Sequence, residues 1–257
     1  MGDKIAYHPN GTHVIEFLEG PHTYTDNFGQ RYLSGTSLVK PFFPKFDSAS
    51  QAVKCSKGTK PRYIGRTPED ILAEWEAERF RGSSEGDNVH LYGEAMTAGW
   101  PVKERPTPIS LRCAFLFWQV RRAVRWLTQT KGFVFISAEL IVFSPEFGIA
   151  GMIDLLMWDP ATNTMWILDW KQNKMITAQN PWQTGLGPIS HLQQTDINTY
   201  TLQLSTYQYL LQKEIYFSEI ETYKRALIHL KKDDFDFYPL EYYDYEVEEM
   251  LKSIKEV

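Results

Sequence analysis

Cysteine is scarce in this sequence, which contains only Cys55 and Cys113 among its 257 residues. Neither belongs to a CxxC pair, and two thiols are too few for an iron–sulfur cluster held by four cysteines. A chain of this length does not need a disulfide framework to fold. Both cysteines are therefore expected to be free thiols in a reducing compartment.

Long apolar runs are missing, and so are internal repeats and low-complexity tracts. No stretch of about 18 apolar residues occurs, which argues against a membrane-spanning helix. The first residues, 1–4, are not followed by the apolar segment of a secretory signal. We therefore expect a soluble intracellular protein without a membrane partner.

An excess of basic charge is absent as well, since 27 Lys and Arg residues face 32 Asp and Glu residues for a net charge of −5. This balance excludes a uniformly basic surface, so any contact with nucleic acid has to be local. The hydrophobic content of 43% is enough for one substantial core. The length predicts a single domain over residues 1–257.

Two acidic residues and a lysine stand out against this background. Asp154 ends the segment Gly151-Met152-Ile153-Asp154, and Asp169 and Lys171 follow in Ile167-Leu168-Asp169-Trp170-Lys171. The turn-forming residues 159–163 lie between them and predict a β-hairpin that returns Asp154 alongside Asp169. Because side chains two positions apart share a strand face, Asp169 and Lys171 point the same way.

The apolar flanks of these acids favour a functional site over an exposed ion pair. An isolated Asp-x-Lys pair is usually a solvated salt bridge. Here both segments read as buried strands, where unpaired charge is costly. Two close carboxylates repel each other unless a cation lies between them, and oxygen ligands suit one or two Mg²⁺ or Mn²⁺ ions. Such ions stabilise charge during phosphoryl displacement, and the lysine is placed to orient or deprotonate the attacking water.

Three further pieces occur in a fixed order along the chain. His90 follows Gly86-Asp87-Asn88-Val89 and precedes Glu94 by one turn, Glu139 opens an apolar strand, and Gln203 and Tyr207 lie one helical turn apart. Each has a plainer interpretation. His90 is interpretable as a hydrogen-bonded surface histidine and Glu139 as a strand-edge carboxylate. Gln203 and Tyr207 are interpretable as packing residues of an amphipathic helix.

Taken together, these residues resemble the PD-(D/E)XK nuclease superfamily and, within it, the RecB-like exonuclease branch. Residues 34–38 resemble a segment of phage and mitochondrial members of that branch, and residues 185–192 resemble viral and phage members. The resemblance implies the cytoplasm of a bacterial or virus-infected cell. The resemblance implies an α/β (α+β) fold with a restriction-endonuclease-like core, in which helices flank a central mixed β-sheet. That core is expected over residues 86–232, overlapping an N-terminal hairpin and helical region over residues 1–130.

The resemblance also assigns roles to individual residues. Asp154, Asp169 and Lys171 are the implied catalytic residues, with Glu139 as an accessory carboxylate. The implied metal ligands are His90, Asp154, Asp169 and the backbone carbonyl of Trp170. Gln203 and Tyr207 are implied to hold DNA or brace the site.

Two other segments are candidates for contact with DNA. Gly35-Thr36-Ser37 opens a short helix, with Thr36 or Ser37 as its N-cap or as the receiver of a phosphate. The long polar segment 172–199 leaves the active-site strand directly and carries Trp182, a candidate stacking platform for a base. The basic stretch 48–66 is either a solvated loop or a backbone-tracking contact.

The remaining pattern predicts a hairpin within residues 12–32, turning at Asn27-Phe28-Gly29, and helices over residues 67–80, 87–98, 109–129 and 245–255. A last strand is predicted over residues 225–230.

We expect a metal-dependent exonuclease acting on DNA ends or single strands in replication, recombination or repair. DNA is the expected partner, with a recombination or replication protein as a further one. A structure-specific or restriction-type endonuclease, a catalytically silent DNA-binding protein and a nuclease acting on RNA are the alternatives.

Overall fold

The computed structural model describes residues 3–255, so the four terminal residues of the expected 1–257 domain lie outside it. This part of the chain forms nine strands and six helices. The strands are β1 (Lys4–Tyr7), β2 (Val14–Leu18), β3 (Thr23–Asp26), β4 (Arg31–Ser34), β5 (Val134–Ser144), β6 (Ile149–Asp159), β7 (Thr164–Lys171), β8 (Thr222–Leu230) and β9 (Phe235–Leu240). The helices are α1 (Gly35–Val39), α2 (Ser48–Ser56), α3 (Pro68–Thr97), α4 (Leu111–Arg125), α5 (Asp196–Lys213) and α6 (Asp244–Lys255).

All nine strands belong to one mixed sheet, which confirms the predicted central sheet flanked by helices. Strands β1 to β4 form an antiparallel meander at one end. Strand β4 then runs parallel to β6, whose antiparallel neighbours are β5 and β7. Strand β8 is parallel to β7 and antiparallel to β9.

Strand β6 is where the sheet divides. Strand β5 pairs along nearly its whole length on one edge. The other edge is shared, because β4 pairs with Ile149 and Ala150 whereas β7 pairs with residues 155–159. Among the described residues, the stretch 151–154 has no ladder partner on that edge. The sheet therefore opens into a fork between β4 and β7.

Three apolar clusters hold the layers together. Helices α1, α5 and α6 cover one face of the sheet, with Leu204 and Leu210 of α5 fully buried. Helices α3 and α4 cover the other face around Trp170 of β7. The third cluster joins the meander to the central strands through residues such as Phe17 and Phe143.

The two helices predicted over residues 67–80 and 87–98 are one continuous helix, so that prediction is wrong. Helix α3 begins with a capping box in which Thr67 and Asp70 exchange side-chain and backbone hydrogen bonds, and Pro68 occupies the first turn. Gly82 and Gly86 lie within it. A glycine in a helix interior costs only about 1 kcal/mol, and burial of the second half of α3 against the sheet offsets that cost.

The basic stretch over residues 48–66 is more ordered than a loop. Its first half is helix α2, which Asp47 caps by accepting a hydrogen bond from the Ser50 N–H. Farther on, Arg62 and Arg66 both form ion pairs with Glu74 of α3. Part of the basic charge in this stretch is therefore neutralised within the chain.

Other predicted elements are confirmed with altered limits. The hairpin that carries Asp154 and Asp169 turns after Asp159, whose side chain accepts hydrogen bonds from the Ala161 N–H and the Thr162 hydroxyl. The predicted hairpin over residues 12–32 is part of the four-stranded meander, and β8 begins three residues before the predicted strand. Strand β9 was not predicted.

No disulfide links the two cysteines, and the reducing compartment expected for them stays a prediction. Cys113 is buried, Cys55 is half-buried, and both are free thiols. Within residues 3–255, the helices are too short or too polar for any of them to cross a bilayer.

Candidate active site

A cavity of about 410 Å³ occupies the fork in the sheet. Its walls come from the N-terminal meander, α1, α3, the central strands and α5. The lining residues are Phe17, Glu19, His22, Tyr24, Ser34, Thr36, Ser83, Asp87, His90, Glu139, Gly151, Met152, Asp154, Asp169, Lys171, Gln203 and Tyr207.

The side chain of Asp154 accepts a backbone hydrogen bond from β7 at the point where β6 and β7 separate. The last register pair of that ladder before the fork is Leu155 with Leu168. One step farther, the backbone N–H of Trp170 donates to Asp154 Oδ2 at 2.9 Å. The carboxylate thus satisfies a strand N–H that the diverging backbone leaves unpaired.

Glu139 lies opposite Asp154 on the other side of β6, between the register pairs Ala138–Leu155 and Leu140–Ile153. Its φ of 52° is in the left-handed region, which non-glycine residues seldom occupy. Such a backbone conformation persists where the surroundings enforce it, and it is concentrated at functional sites. Glu139 is 6% exposed.

His90 reaches the same point from α3. Its Nδ1 lies 3.3 Å from Asp154 Oδ2. The ligand atoms of His90, Glu139 and Asp154 all lie within 4.8 Å of one another. The structure therefore brings together three side chains that are separated by 15 to 64 positions in the sequence.

Asp169 and Lys171 form the second charged group of the cavity. Lys171 Nζ lies 2.5 Å from Asp169 Oδ2, as expected for side chains on one face of a strand. The same ammonium lies 4.6 Å from the centre of the Tyr200 ring, a cation–π contact with α5. Both charged side chains are largely buried, so the plainer interpretation of a solvated surface pair is wrong.

The pKa values follow from this crowding of charge. Burial by itself would lower the pKa of His90, but the adjacent Asp154 carboxylate raises it to about 9. Burial likewise opposes ionisation of Asp154, but His90 outweighs it and holds the Asp154 pKa below its usual range. The two side chains form an ionised pair at neutral pH.

The remaining carboxylates are less easily ionised. Burial, and then the negative charge of Asp154, raises the pKa of Glu139 to about 8. Burial raises the pKa of Asp169 to about 6, although Lys171 works against the shift. Burial also opposes the charge of Lys171, yet Asp169 and Asp154 raise its pKa above the usual range.

This donor set fits a divalent cation. Two carboxylates and an imidazole converge. Burial, and then the charge of Asp154, raises the Glu139 pKa, and a cation between the two carboxylates would offset that charge. One nitrogen with several oxygen ligands is a set that accepts Mg²⁺ or Mn²⁺. Asp169 lies outside the triplet and binds Lys171. The Trp170 N–H is committed to Asp154, and ligation by the Trp170 carbonyl stays a prediction.

The residues predicted to bind DNA divide into two groups. Thr36, Gln203 and Tyr207 line the cavity, and Gln203 Nε2 donates to the Tyr207 hydroxyl at 2.9 Å. Tyr207 is also 5% exposed within the apolar cluster on its face of the sheet, so packing and cavity lining are both true of it.

Ser37 and Trp182 lie outside the cavity. The prediction that Thr36 or Ser37 is the N-cap is wrong, because Ser34 caps α1 by accepting from the Ser37 N–H at 3.1 Å. Ser37 is not among the lining residues of the cavity. Trp182 is 89% exposed. Its segment is held by hydrogen bonds such as Leu186 N–H to the Phe42 carbonyl, and none of the described residues 172–199 lines the cavity.

Sequence reasoning missed the contribution of the N-terminal meander. Lys4 of β1 reaches within 3.9 Å of Glu139 and 3.6 Å of Glu94. Tyr24 and His22 line the cavity as well. No local motif marks these residues, because their position depends on how the meander folds against β5 and β6.

The family model of the PD-(D/E)XK nuclease superfamily matches residues 51–257. This range contains His90, Glu139, Asp154, Asp169 and Lys171 but not the meander. No curated protein matches the chain at a significant level.

Proposed function

The chain belongs to the PD-(D/E)XK nuclease superfamily, and we propose that it is a divalent-metal-dependent deoxyribonuclease that acts as an exonuclease on DNA ends or single strands. Membership itself implies a nuclease with DNA as substrate, in a superfamily that typically uses Mg²⁺ or Mn²⁺. The observation that carries the proposal is the convergence of His90, Glu139 and Asp154 beside the Asp169–Lys171 pair in one cavity.

His90, Glu139 and Asp154 would hold the metal, with Asp169 and the Trp170 carbonyl as further candidate ligands. When bound there, the ion supplies Lewis-acid stabilisation of the negative charge that develops on the phosphoryl oxygens. The low exposure of the ligands strengthens electrostatic stabilisation, because few water molecules compete with them.

Lys171 would orient the attacking water. Its pKa is raised, so the side chain remains an ammonium at neutral pH and acts as a hydrogen-bond donor rather than as a proton acceptor. Asp169 holds the ammonium on one side and the Tyr200 ring on another. These contacts restrict the lysine to the cavity, where a nucleophilic water and a phosphate would meet.

The shape of the cavity supports action at strand ends. It measures about 410 Å³, with the meander on one side and α5 on the other. Phe17 and Tyr24 from the meander and Gln203 and Tyr207 from α5 all line it. Walls on two sides accept the end of a strand more readily than a continuous duplex. A role in replication, recombination or repair is part of this proposal.

The test is digestion of 5′-labelled and 3′-labelled oligonucleotides, single-stranded and duplex, with Mg²⁺, with Mn²⁺ or with a chelator. We expect cation-dependent loss of nucleotides from an end, and no nicking of closed circular DNA. Lys171→Ala is expected to lower the rate about 10²- to 10⁴-fold while DNA binding persists. Lys213→Ala, which removes an exposed lysine at the end of α5, is the matched control.

Two outcomes would contradict the proposal. Full activity of Lys171→Ala would remove the proposed mechanism, and nicking of circular DNA would replace the exonuclease with an endonuclease. His90→Ala tests the metal ligand separately. We expect it to shift the activity curve to higher Mn²⁺ concentration, and an unchanged curve would return His90 to a structural role.

A further inference from the structure

A second cavity, of about 530 Å³, lies beyond the end of the active-site strand. It is bounded by the first turns of α4, the residues 172–174 that follow β7, and the end of β8 with the turn after it. Arg112, Lys174, Lys231 and Lys232 surround a floor that includes Phe115. None of the lining residues, all of which the structure describes, is acidic. In a chain of net charge −5, this is a local concentration of positive charge.

A groove beside the second cavity reaches α3, the helix that also carries His90. Arg112 and residues 172–174 also line an adjoining groove that reaches Gly82 on α3. The next residue, Ser83, lines the active-site cavity. Helical rise places Gly82 about 12 Å from His90 along the axis of α3. A flexible strand leaving the active site would therefore have only a short distance along α3 to span before it reached the groove.

The four basic side chains of the second cavity differ in whether an acidic side chain within residues 3–255 binds them. Arg112 binds Glu85 at 2.6 Å, and Lys231 binds Asp236 at 2.8 Å. Within residues 3–255, no ion pair is formed by Lys174 or by Lys232, and both are exposed. Lys232 Nζ lies 6.0 Å from the centre of the Phe115 ring. Two lysines therefore remain free to neutralise phosphate groups.

Two exposed aromatic rings lie on α4, and Phe115 is the one that lines the second cavity together with these lysines. Phe115 is 50% exposed and Trp118 is 57% exposed, and residues three apart are neighbours on a helix surface. Exposed aromatic rings beside lysines form the combination that binds unpaired bases and their backbone together. A duplex offers its phosphates but keeps its base faces stacked inside.

We infer that Phe115, Trp118, Lys174 and Lys232, termed here the α4 tract, bind single-stranded DNA that extends from the active site. This inference rests on the proposed function. Lys174 and Lys232 contact phosphates, and the two rings stack on successive bases. The tract therefore gives the protein a preference for substrates with a single-stranded segment several nucleotides long.

Binding is tested in chelator, so that no cleavage takes place, by fluorescence anisotropy of labelled oligothymidine of about 16 nucleotides. Phe115→Ala is expected to weaken binding about 5- to 150-fold, the range for loss of one base–aromatic stack. The double variant Lys174→Gln, Lys232→Gln is expected to weaken binding and to reduce the slope of log affinity against log salt by about 1.4. Binding of a blunt duplex of equal length is expected to change little with Phe115→Ala.

Phe28→Ala and Lys213→Gln are the matched controls, because each removes an exposed side chain of the same type elsewhere. Wild-type affinity in both tract variants would overturn the inference, and so would an equal loss on the blunt duplex. Failure of the wild type to cleave any DNA with Mg²⁺ or Mn²⁺ would instead contradict the proposed function. DNA binding in chelator can still be measured in that case, so failure of the inference and failure of the proposed function are distinguishable.

Discussion

At the scale of single residues, burial and neighbouring charges determine which side chains of the cavity are ionised at neutral pH. His90 and Asp154 are ionised together, and Lys171 is charged beside Asp169. Glu139 retains a proton until the pH reaches about 8, because it is buried and Asp154 is already negative. A divalent cation would release that proton, since metal ligands bind in their deprotonated form.

This pattern predicts how the stability of the metal-free protein depends on pH. The Glu139 pKa rises from its ordinary value of 4.5 to about 8 on folding, so the folded state holds a proton that the unfolded state loses over that interval. The contribution of Glu139 to stability therefore declines from pH 4.5 to about 8. The contribution of His90 is complete below pH 6.5 and is lost as the pH passes about 9.

In chelator, the melting temperature is thus expected to fall between pH 5 and pH 9, as measured by circular dichroism. Glu139→Gln should flatten the fall below pH 8, and added Mg²⁺ should stabilise the wild type more as the pH rises. A melting temperature that increases over this interval in the metal-free protein would contradict the assigned pKa directions.

At the scale of elements, the ring of Tyr207 packs at the place where helix α5 meets strand β6 and helix α1. Tyr207 of α5 lies against Gly151 of β6 and Gly35 of α1. A Cβ on Gly35 would lie 2.6 Å from the Tyr207 ring, and one on Gly151 would overlap the ring. Both glycines therefore leave room for the Tyr207 ring close to the backbone. In this position the ring lines the cavity and the Tyr207 hydroxyl accepts the hydrogen bond from Gln203.

Gly151→Ala is expected to displace Tyr207 and to lower the free energy of unfolding by about 1–3 kcal/mol, the usual range for overpacking. Denaturant unfolding measures the change. Gly20→Ala is the control, because a Cβ there meets nothing within 4 Å and the backbone is not left-handed. Equal stability of the two variants would show that the ring is not confined by Gly151.

At the scale of the whole molecule, the meander and the family-matched region share a sheet and a core. The ladder between β4 and β6 is short, with only the pairs Leu33–Ile149 and Ser34–Ala150. Burial compensates for it, because Phe17 and Tyr24 of the meander pack in one cluster with Phe143 of β5. We propose on this basis that the described residues, 3–255, form a single domain.

Hydrogen exchange tests the proposed single domain. Amides of β2 and β3 are expected to lose protection at the same denaturant concentration as amides of β6 and β7, because apolar surface is shared between them. Earlier loss of protection in the meander would show that it unfolds as a separate unit and contradict the single domain.

Local motifs were sufficient to predict much of the candidate site. Asp169 and Lys171 are two residues apart on a strand, and Gln203 and Tyr207 are four apart on a helix. In both cases the backbone repeat makes the side chains neighbours, whatever the rest of the fold does. The turn at residues 159–163 is equally local, and it places Asp154 near Asp169.

Long-range packing decided what no motif could indicate. The single helix α3, the fork beside β6 and the arrival of Lys4 next to Glu139 all depend on elements that are distant in sequence. Residues of this kind meet because burial of apolar faces sets the order of strands and the docking of helices. That order is a property of the folded chain, whereas the periods of strand and helix are properties of the backbone itself.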